Sequence, residues 1–378
     1  MTGSLAVKSW RAEAAARSAA TQPAAAFSDR SALLDCIRAA AILMVFLFHV
    51  ATRYPEASLD PVARFFHQYG FLGVDIFFPL SGFLITRFLL TSPRPDFVRA
   101  FFLRRVFRIL PLYYVAIAVY VAASLATGTG SEVLGRIWVT VLFLTGWASF
   151  LDGLQSVPYG ITWSLSVEEF GYALLGLMAW ISRRHLPLFL VLATGFAIAL
   201  RLGLEAAAFG QPYYLPPARL DAIAIGGLTA VLLTRWQSLA LPVLAAALAI
   251  AMATMGPLNY TAVALATGLL IALAEGPLRG FTNAPLRAVA AIGFYSYFNY
   301  LFHFFTIEAL LRVSGKVLGA PPPFWIAAAV ALALVQIQAL VSFRLFEAPL
   351  MRFGRRFERP AASSARPAAL GPLAPRPA

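Results

Sequence analysis

Two basic residues eleven positions apart, Arg38 and His49, bracket an almost unbroken apolar run from Ala39 to Phe48. In a helix they would stand roughly 16 Å apart along the axis, and eleven steps of about 100° return them to nearly one face. A guanidinium is permanently charged and forks to phosphate or carboxylate. An imidazole, with an ordinary pKa of about 6.5, takes and returns a proton near neutrality. One face of an apolar helix would then carry an anion-binding group near one end and a general base deep inside. A snorkelling arginine beside a packed histidine accounts for the same pair without any chemistry.

Three further sets of residues invite the same question. Thr162-Trp163-Ser164-Leu165-Ser166-Val167-Glu168-Glu169 opens another apolar stretch. Intramembrane acids are rare and costly, and Glu168, on one face with Ser164, needs a counter-charge, for which a buried histidine or arginine is the natural candidate. Arg105 and Arg108, with Arg104 before them, project to one side of a short amphipathic segment ahead of Pro111 and could clamp a phosphorylated ligand. Ordinary positive-inside anchoring explains their spacing equally well. Tyr295, Ser296, Tyr297 and Tyr300 precede His303, which lies too deep in its span for an aromatic belt and reads as site lining.

The elements that must position these groups are membrane helices. Hydrophobic residues make up 60% of the 378, charged residues 12%, and the mean hydropathy is +0.76, so an all-α polytopic membrane protein is expected. The net charge of +13 is almost all arginine, Lys8 and Lys316 being the only lysines. These charges flank apolar spans and form no single stripe, which argues against nucleic acid. The single cysteine, Cys36, excludes an intramolecular disulfide and reads as packing; no metal-ligand pattern is present.

Residues 1–30 read as a disordered leader, 31–358 as the membrane domain and 359–378 as a disordered Pro/Ala-rich tail. Spans are expected near 32–51, 66–90, 109–126, 161–181, 186–202, 218–234, 239–255, 258–275, 288–312 and 324–346. The short piece Ile137–Phe150 decides the parity. Counted as a re-entrant or interfacial helix, it leaves every basic loop on one side, giving ten crossings with both termini cytoplasmic. Arg38, Arg104, Arg105, Arg108 and Glu347 then lie toward the cytoplasm. Asp75, Trp163, Ser164, Arg219 and Asp221 lie outward, with His49, Ser81, Glu168 and His303 between.

Taken together these motifs resemble the acyltransferase-3 family of membrane O-acyltransferases. Leu34-Asp35-Cys36-Ile37-Arg38 followed by His49 resembles its leading element, and Gly73-Val74-Asp75-Ile76-Phe77-Phe78 through Ser81-Gly82-Phe83 its second-span signature. Arg105-x-x-Arg108-Ile109, the Thr162–Glu169 block, Arg219-Leu220-Asp221 with Gly226, Ser296-Tyr297 through His303, and Glu347-Ala348-Pro349 complete seven blocks in family order. Three positions depart from the pattern: Cys36 for glycine, Pro79 for an aliphatic residue, and Phe170-Gly171 after the glutamates. No fused extracytoplasmic domain is visible, so the stand-alone form is expected.

The resemblance implies transfer of an acyl group, commonly acetyl from acetyl-CoA, to a hydroxyl of a sugar or glycosylated molecule, with no permanently bound cofactor. On that reading His49 is the general base and Glu168 orients it or offsets its charge, while an acyl-histidine intermediate stays open. Arg38, Arg105 and Arg108 hold the donor. Asp75, Ser81, Trp163, Ser164, Arg219, Asp221, Tyr297, His303 and Glu347 bind substrate or line the site. A multi-pass protein of the inner (plasma) membrane follows. The competing class is a glycolipid or small-molecule transporter or flippase with a buried Arg/His/Glu path.

Overall fold

The computed structural model describes residues 31–54, 60–92, 96–236 and 259–358. The leader, the tail and the expected span 239–255 lie outside them. Among the described residues every regular element is helical. The first helix, α1 (Ala32–Ala51), is the apolar run already noted, free of proline and glycine. Asp60 caps α2 (Pro61–Tyr69) by accepting from the Val62 and Ala63 N–H groups at 2.8 and 3.2 Å, with proline preset at the first position. A 3₁₀ turn at Gly70–Leu72 then leads into α3 (Gly73–Thr91). The span expected from residue 66 is therefore two elements, because glycines at 70 and 73 let the chain turn there against α1.

The next helix, α4 (Phe97–Ala126), runs 30 residues without interruption. The Arg104–Arg108 segment, expected as a short amphipathic piece ahead of the span, lies within its first half. Pro111 is tolerated inside because neighbouring helices can re-satisfy the freed backbone. The ambiguous stretch resolves into α5 (Gly130–Val141) and α6 (Thr145–Asp152), joined by a turn in which Phe143 adopts φ 58°. At 12 and 8 residues they are about 18 and 12 Å long, too short to cross a membrane singly. Helices α7 (Trp163–Ser182) and α8 (Leu186–Ala206) follow, joined by one 3₁₀ turn at Arg183–His185. Then come α9 (Leu220–Trp236) and α10 (Asn259–Glu275).

The span expected at 288–312 is broken at Tyr295 into α11 (Ala284–Phe294) and α12 (Ser296–Leu318). Finally α13 (Phe324–Ser342) passes through a π-helical turn at Phe343–Glu347 into α14 (Ala348–Gly354). Six helical stretches among the described residues are long and apolar enough to cross a membrane; one of them, 160–206, holds both α7 and α8.

Helix α3 is wedged between α1 and α9. A Cβ on Gly82 would strike the Ile223 carbonyl, and one on Gly226 would strike the Pro79 carbonyl, so backbones meet directly at this crossing. With lipid as apolar as the side chains, such contact and buried polar pairing hold the bundle. One such pairing is a clasp across α8, α9 and α10. Arg201, fully buried, forks onto Asp221 at 2.9 and 3.2 Å and also donates to the Ala218 carbonyl at 2.7 Å. Thr261 joins both partners, accepting from Arg201 and donating to Asp221, each at 2.5 Å. Removing one member of such a buried pair costs about 3–5 kcal/mol.

Candidate active site

A chamber of about 260 Å³ opens among α1, α3, α4, α7 and α12. Arg104, Arg105 and Arg108 from α4, with Arg38 from α1, form its basic end, and Phe77, Phe78 and Phe101 supply apolar wall. Ser81, Ser164, Glu168, Tyr172, Tyr297 and Tyr300 complete it. The lining comes from the early turns of α1, α4, α7 and α12 and from most of the length of α3. The break at Tyr295 matters here, since it starts α12 at Ser296 and turns Ser296, Tyr297 and Tyr300 to the chamber.

Glu168 does not meet a histidine or arginine, as the sequence suggested. Its carboxylate accepts from the Ser81 hydroxyl at 2.8 Å and from the Tyr172 hydroxyl, one turn along, at 2.7 Å. The arginine goes to its neighbour: Arg105 lies 3.5 Å from Glu169 and stacks over the Tyr172 ring. Glu168 is therefore a chamber acid held by two neutral hydroxyls, and Glu169 is the counter-charge for Arg105. Arg38 is ion-paired with Asp35 one turn back. At the inner limit, Tyr300 donates to the Ile161 carbonyl at 2.5 Å, which leaves its oxygen to accept from Ser164 at 2.7 Å. Tyr297 closes the other side by donating to the Ile109 carbonyl at 2.9 Å.

His49 is not among the chamber walls. It lies one turn beyond Val45, and its partner is His303, whose ring centroid is 4.8 Å from that of His49 and 6.2 Å from that of Tyr300 in the chamber wall. The geometry assigns the tautomers. His303 Nδ1 is 2.8 Å from the Asn299 carbonyl, and His49 Nδ1 is 2.8 Å from the Val45 carbonyl. A carbonyl only accepts, so both Nδ1 atoms carry protons. In the neutral rings both Nε2 atoms are then bare. His303 Nε2 lies 3.2 Å from His49 Nδ1 and can accept from it. The chain runs from His49 through His303 to Asn299 and leaves His49 Nε2 as a free lone pair, with no hydrogen bond among the described residues. His303 is fully buried and His49 half-buried.

The remaining expected site residues gather elsewhere. Asp75 and Arg219 form a fully buried ion pair at the end of the bundle away from the arginines, and Tyr213 donates to Asp75 at 3.2 Å. The Arg219 guanidinium lies over Tyr260 and Tyr213, 4.5 and 5.1 Å from their centroids, and its Nε and Nη1 are buried without a hydrogen-bond partner. Trp163 packs between Phe78 and Tyr213 and connects this cluster to the chamber wall. Asp221 does not line the site: Arg201 and Thr261 occupy its carboxylate. Glu347 is likewise outside the chamber, accepting from Ser342 at 2.9 Å in the π-helical turn.

The sequence reading missed Arg201, Tyr172, Tyr213 and Tyr260. Arg201 carried a usable signal, an arginine inside an apolar helix. It stood close enough to the end of the expected span to pass for an interfacial anchor. The three tyrosines carried none beyond aromatic content.

Long apolar helices around an internal polar chamber, basic at one end and leading toward a histidine pair, define a multi-pass membrane protein with a buried site. The chain belongs to the Acyltransferase domain family, which it matches over residues 32–339. It is similar to Peptidoglycan O-acetyltransferase OatA of Listeria monocytogenes, 31% identical over 186 residues, covering 44% of this chain and 28% of that protein. It is also similar to the protein of Bacillus subtilis named Putative peptidoglycan O-acetyltransferase YrhL, 32% identical over 148 residues, 36% of this chain and 22% of that protein. The chain thus spans only about a quarter of the length of these relatives. No solved structure matches it.

Proposed function

We propose that this protein transfers an acetyl group from an acyl-CoA, entering at the arginine end, to a hydroxyl of a carbohydrate acceptor arriving from the opposite end. The observation that carries this reading is the histidine chain, which leaves His49 Nε2 without a hydrogen bond among the described residues and outside the lining of the donor chamber. The acceptor hydroxyl gives its proton to His49 Nε2 while its oxygen attacks the thioester carbonyl. The C–S bond breaks as the tetrahedral intermediate collapses, and the leaving thiolate takes a proton, so His49 returns to neutral. His303 Nε2, the acceptor for His49 Nδ1–H, stabilises the transient imidazolium and holds the ring's orientation. Glu168 works on the chamber side, where its carboxylate orients the Ser81 and Tyr172 hydroxyls.

Two substrates from opposite ends suit the physics. A charged nucleotide is prohibitively costly in hydrocarbon, whereas a slender thioester arm fits a chamber of about 260 Å³. The family assignment favours transfer over transport. Peptidoglycan-like glycans are the natural first acceptors to try, because the relatives' names specify them. The test is purified protein with acetyl-CoA and a muropeptide or chito-oligosaccharide acceptor. Thiol release with a matching mass gain on the acceptor is expected. His49→Ala, lacking the base, should lose about 10² to 10⁴ in rate. Wild-type turnover by folded His49→Ala would overturn the assignment of the base.

A further inference from the structure

A second and larger cavity, about 1010 Å³, adjoins the chamber at the arginine end. Its walls come from the start of α1, the end of α3, the end of α10, the turn after it and α11, none of which belongs to the arginine motif of α4. It shares Arg38, Leu84 and Phe88 with the chamber, so the two are consecutive compartments of one passage. Four arginines face it against two acids. Arg38 is tied to Asp35, and Arg87 is tied to Glu275 at 2.5 Å. Arg279 and Arg287 make no ion pair among the described residues, and both are exposed.

Size and charge divide the compartments by what each can take. The chamber is below the usual range for whole ligands, about 300–1,000 Å³, whereas the outer cavity is at its upper end. Within the chamber Arg105 is committed to Glu169 and Tyr172. The outer cavity is where guanidinium forks with no ion pair among the described residues stand beside open volume, and such forks match phosphate oxygens in pairs.

We propose that the outer cavity is the seat of a multiply phosphorylated nucleotide, the adenosine 3′-phosphate 5′-diphosphate end of the donor, gripped by Arg279 and Arg287, with the thioester arm passing Arg38 into the chamber. This deepens the donor reading and rests on it. It also reassigns the roles expected for Arg105 and Arg108. They serve the arm and the thioester end, while residues outside every family motif hold the phosphates. The same chemistry could be met by the headgroup of an anionic lipid, and the experiment separates the two.

The experiment uses the full chain in phosphatidylcholine nanodiscs, titrated with coenzyme A, 3′-dephospho-coenzyme A and adenosine 3′,5′-bisphosphate. Wild type is expected to bind coenzyme A and to prefer it over the dephospho form. Arg279→Gln/Arg287→Gln should lose roughly tenfold or more in coenzyme A affinity and most of that preference. Its KM for acetyl-CoA should rise accordingly, with kcat nearly unchanged. Arg355→Gln, at an exposed arginine outside the cavity, should behave as wild type. Unchanged affinity and KM in the double variant, with wild type binding and turning over acetyl-CoA, overturn the nucleotide seat alone. Failure of wild type to bind any coenzyme A overturns the donor reading beneath it. If adenosine 3′,5′-bisphosphate does not bind but phosphatidylglycerol does, in a manner lost with Arg279 and Arg287, the cavity is a lipid-headgroup site and the proposal fails.

Discussion

His303 offers the sharpest test of how His49, the proposed base, is held. In the native arrangement His49 Nδ1–H lies 2.8 Å from the Val45 carbonyl and 3.2 Å from His303 Nε2. Replacing His303 with leucine leaves only the carbonyl, an acceptor on the same helix that cannot fix the ring against rotation as a cross-helix partner does. It also removes the lone pair nearest the positive charge that develops during proton transfer. Hydrogen bonds to charged groups are worth about 1.5–3 kcal/mol, and about 1.4 kcal/mol is tenfold in rate. A kcat loss of roughly 10- to 100-fold is therefore expected for His303→Leu, less than for His49→Ala. His303→Gln, whose amide oxygen can still accept, should recover much of it. The assay is initial-rate thiol release at saturating acetyl-CoA, with thermal denaturation in detergent to confirm folding. Wild-type kcat in folded His303→Leu, or equal losses in the leucine and glutamine variants, would refute the orienting role.

Other expectations follow from separate parts of the bundle. Asp221→Ala should lower stability by about 3–5 kcal/mol, since it strands Arg201 in the interior, and the loss should appear as a reduced melting temperature. Arg201→Met/Asp221→Leu should recover much of that stability, because neither charge is left alone. Glu168→Gln keeps the shape of the chamber but removes its acid. It should slow transfer while coenzyme A affinity stays within about twofold; tighter coupling to donor binding would move Glu168 to the donor site. Asp60 tests a linkage outside the spans. Its carboxyl is held below the usual range first by the Trp325 indole N–H and then by the Ala63 and Val62 N–H groups. A folded pKa below the unfolded value contributes stability that is complete above about pH 3.9 and lost as pH falls through the lower folded value. Wild type should thus exceed Asp60→Asn in melting temperature near pH 6 and converge with it only as pH falls from about 3.9 through the lower folded value; a gap that ignores pH would count against the linkage. Finally, in a Cys36→Ser background, cysteines at exposed Arg99 and Gln211 should label from opposite faces with an impermeant thiol reagent. Labelling from one face would refute the two-sided passage.

Glu168 was legible from the sequence because buried charge is costly in a membrane, whereas Arg105 and Arg108, equally well explained as anchors, stood out only through the family resemblance. Arg38, Ser81, Arg105, Arg108, Ser164, Glu168 and Tyr297 all face one chamber. Helix ends were read less well where propensity and hydropathy disagree. Arg104 to Arg108 look like a boundary by hydropathy, yet they continue α4 because arginine is a good helix former. Tyr295 looks continuous by hydropathy, yet the helix breaks there. Pairings were the least legible. Periodicity puts Glu168 on a face but does not say that hydroxyls will meet it while Arg105 takes Glu169. Nor does it say that Asp221 answers Arg201 from another helix.

The Arg201 clasp has a consequence for how the protein is made. Arginine is the sixteenth residue of α8, at the end of a run in which Thr194 is the one polar side chain, and an arginine within an inserting helix costs up to about 2.5–3.5 kcal/mol at its centre. Its acid partner is on α9 and its hydroxyl partner on α10, both synthesised later. Helix α8 must therefore be released to lipid late, or wait beside the insertion machinery until Asp221 and Thr261 arrive. Biogenesis of this part of the bundle is then cooperative across three helices, and a chain arrested before residue 221 would carry an unanswered charge in the membrane.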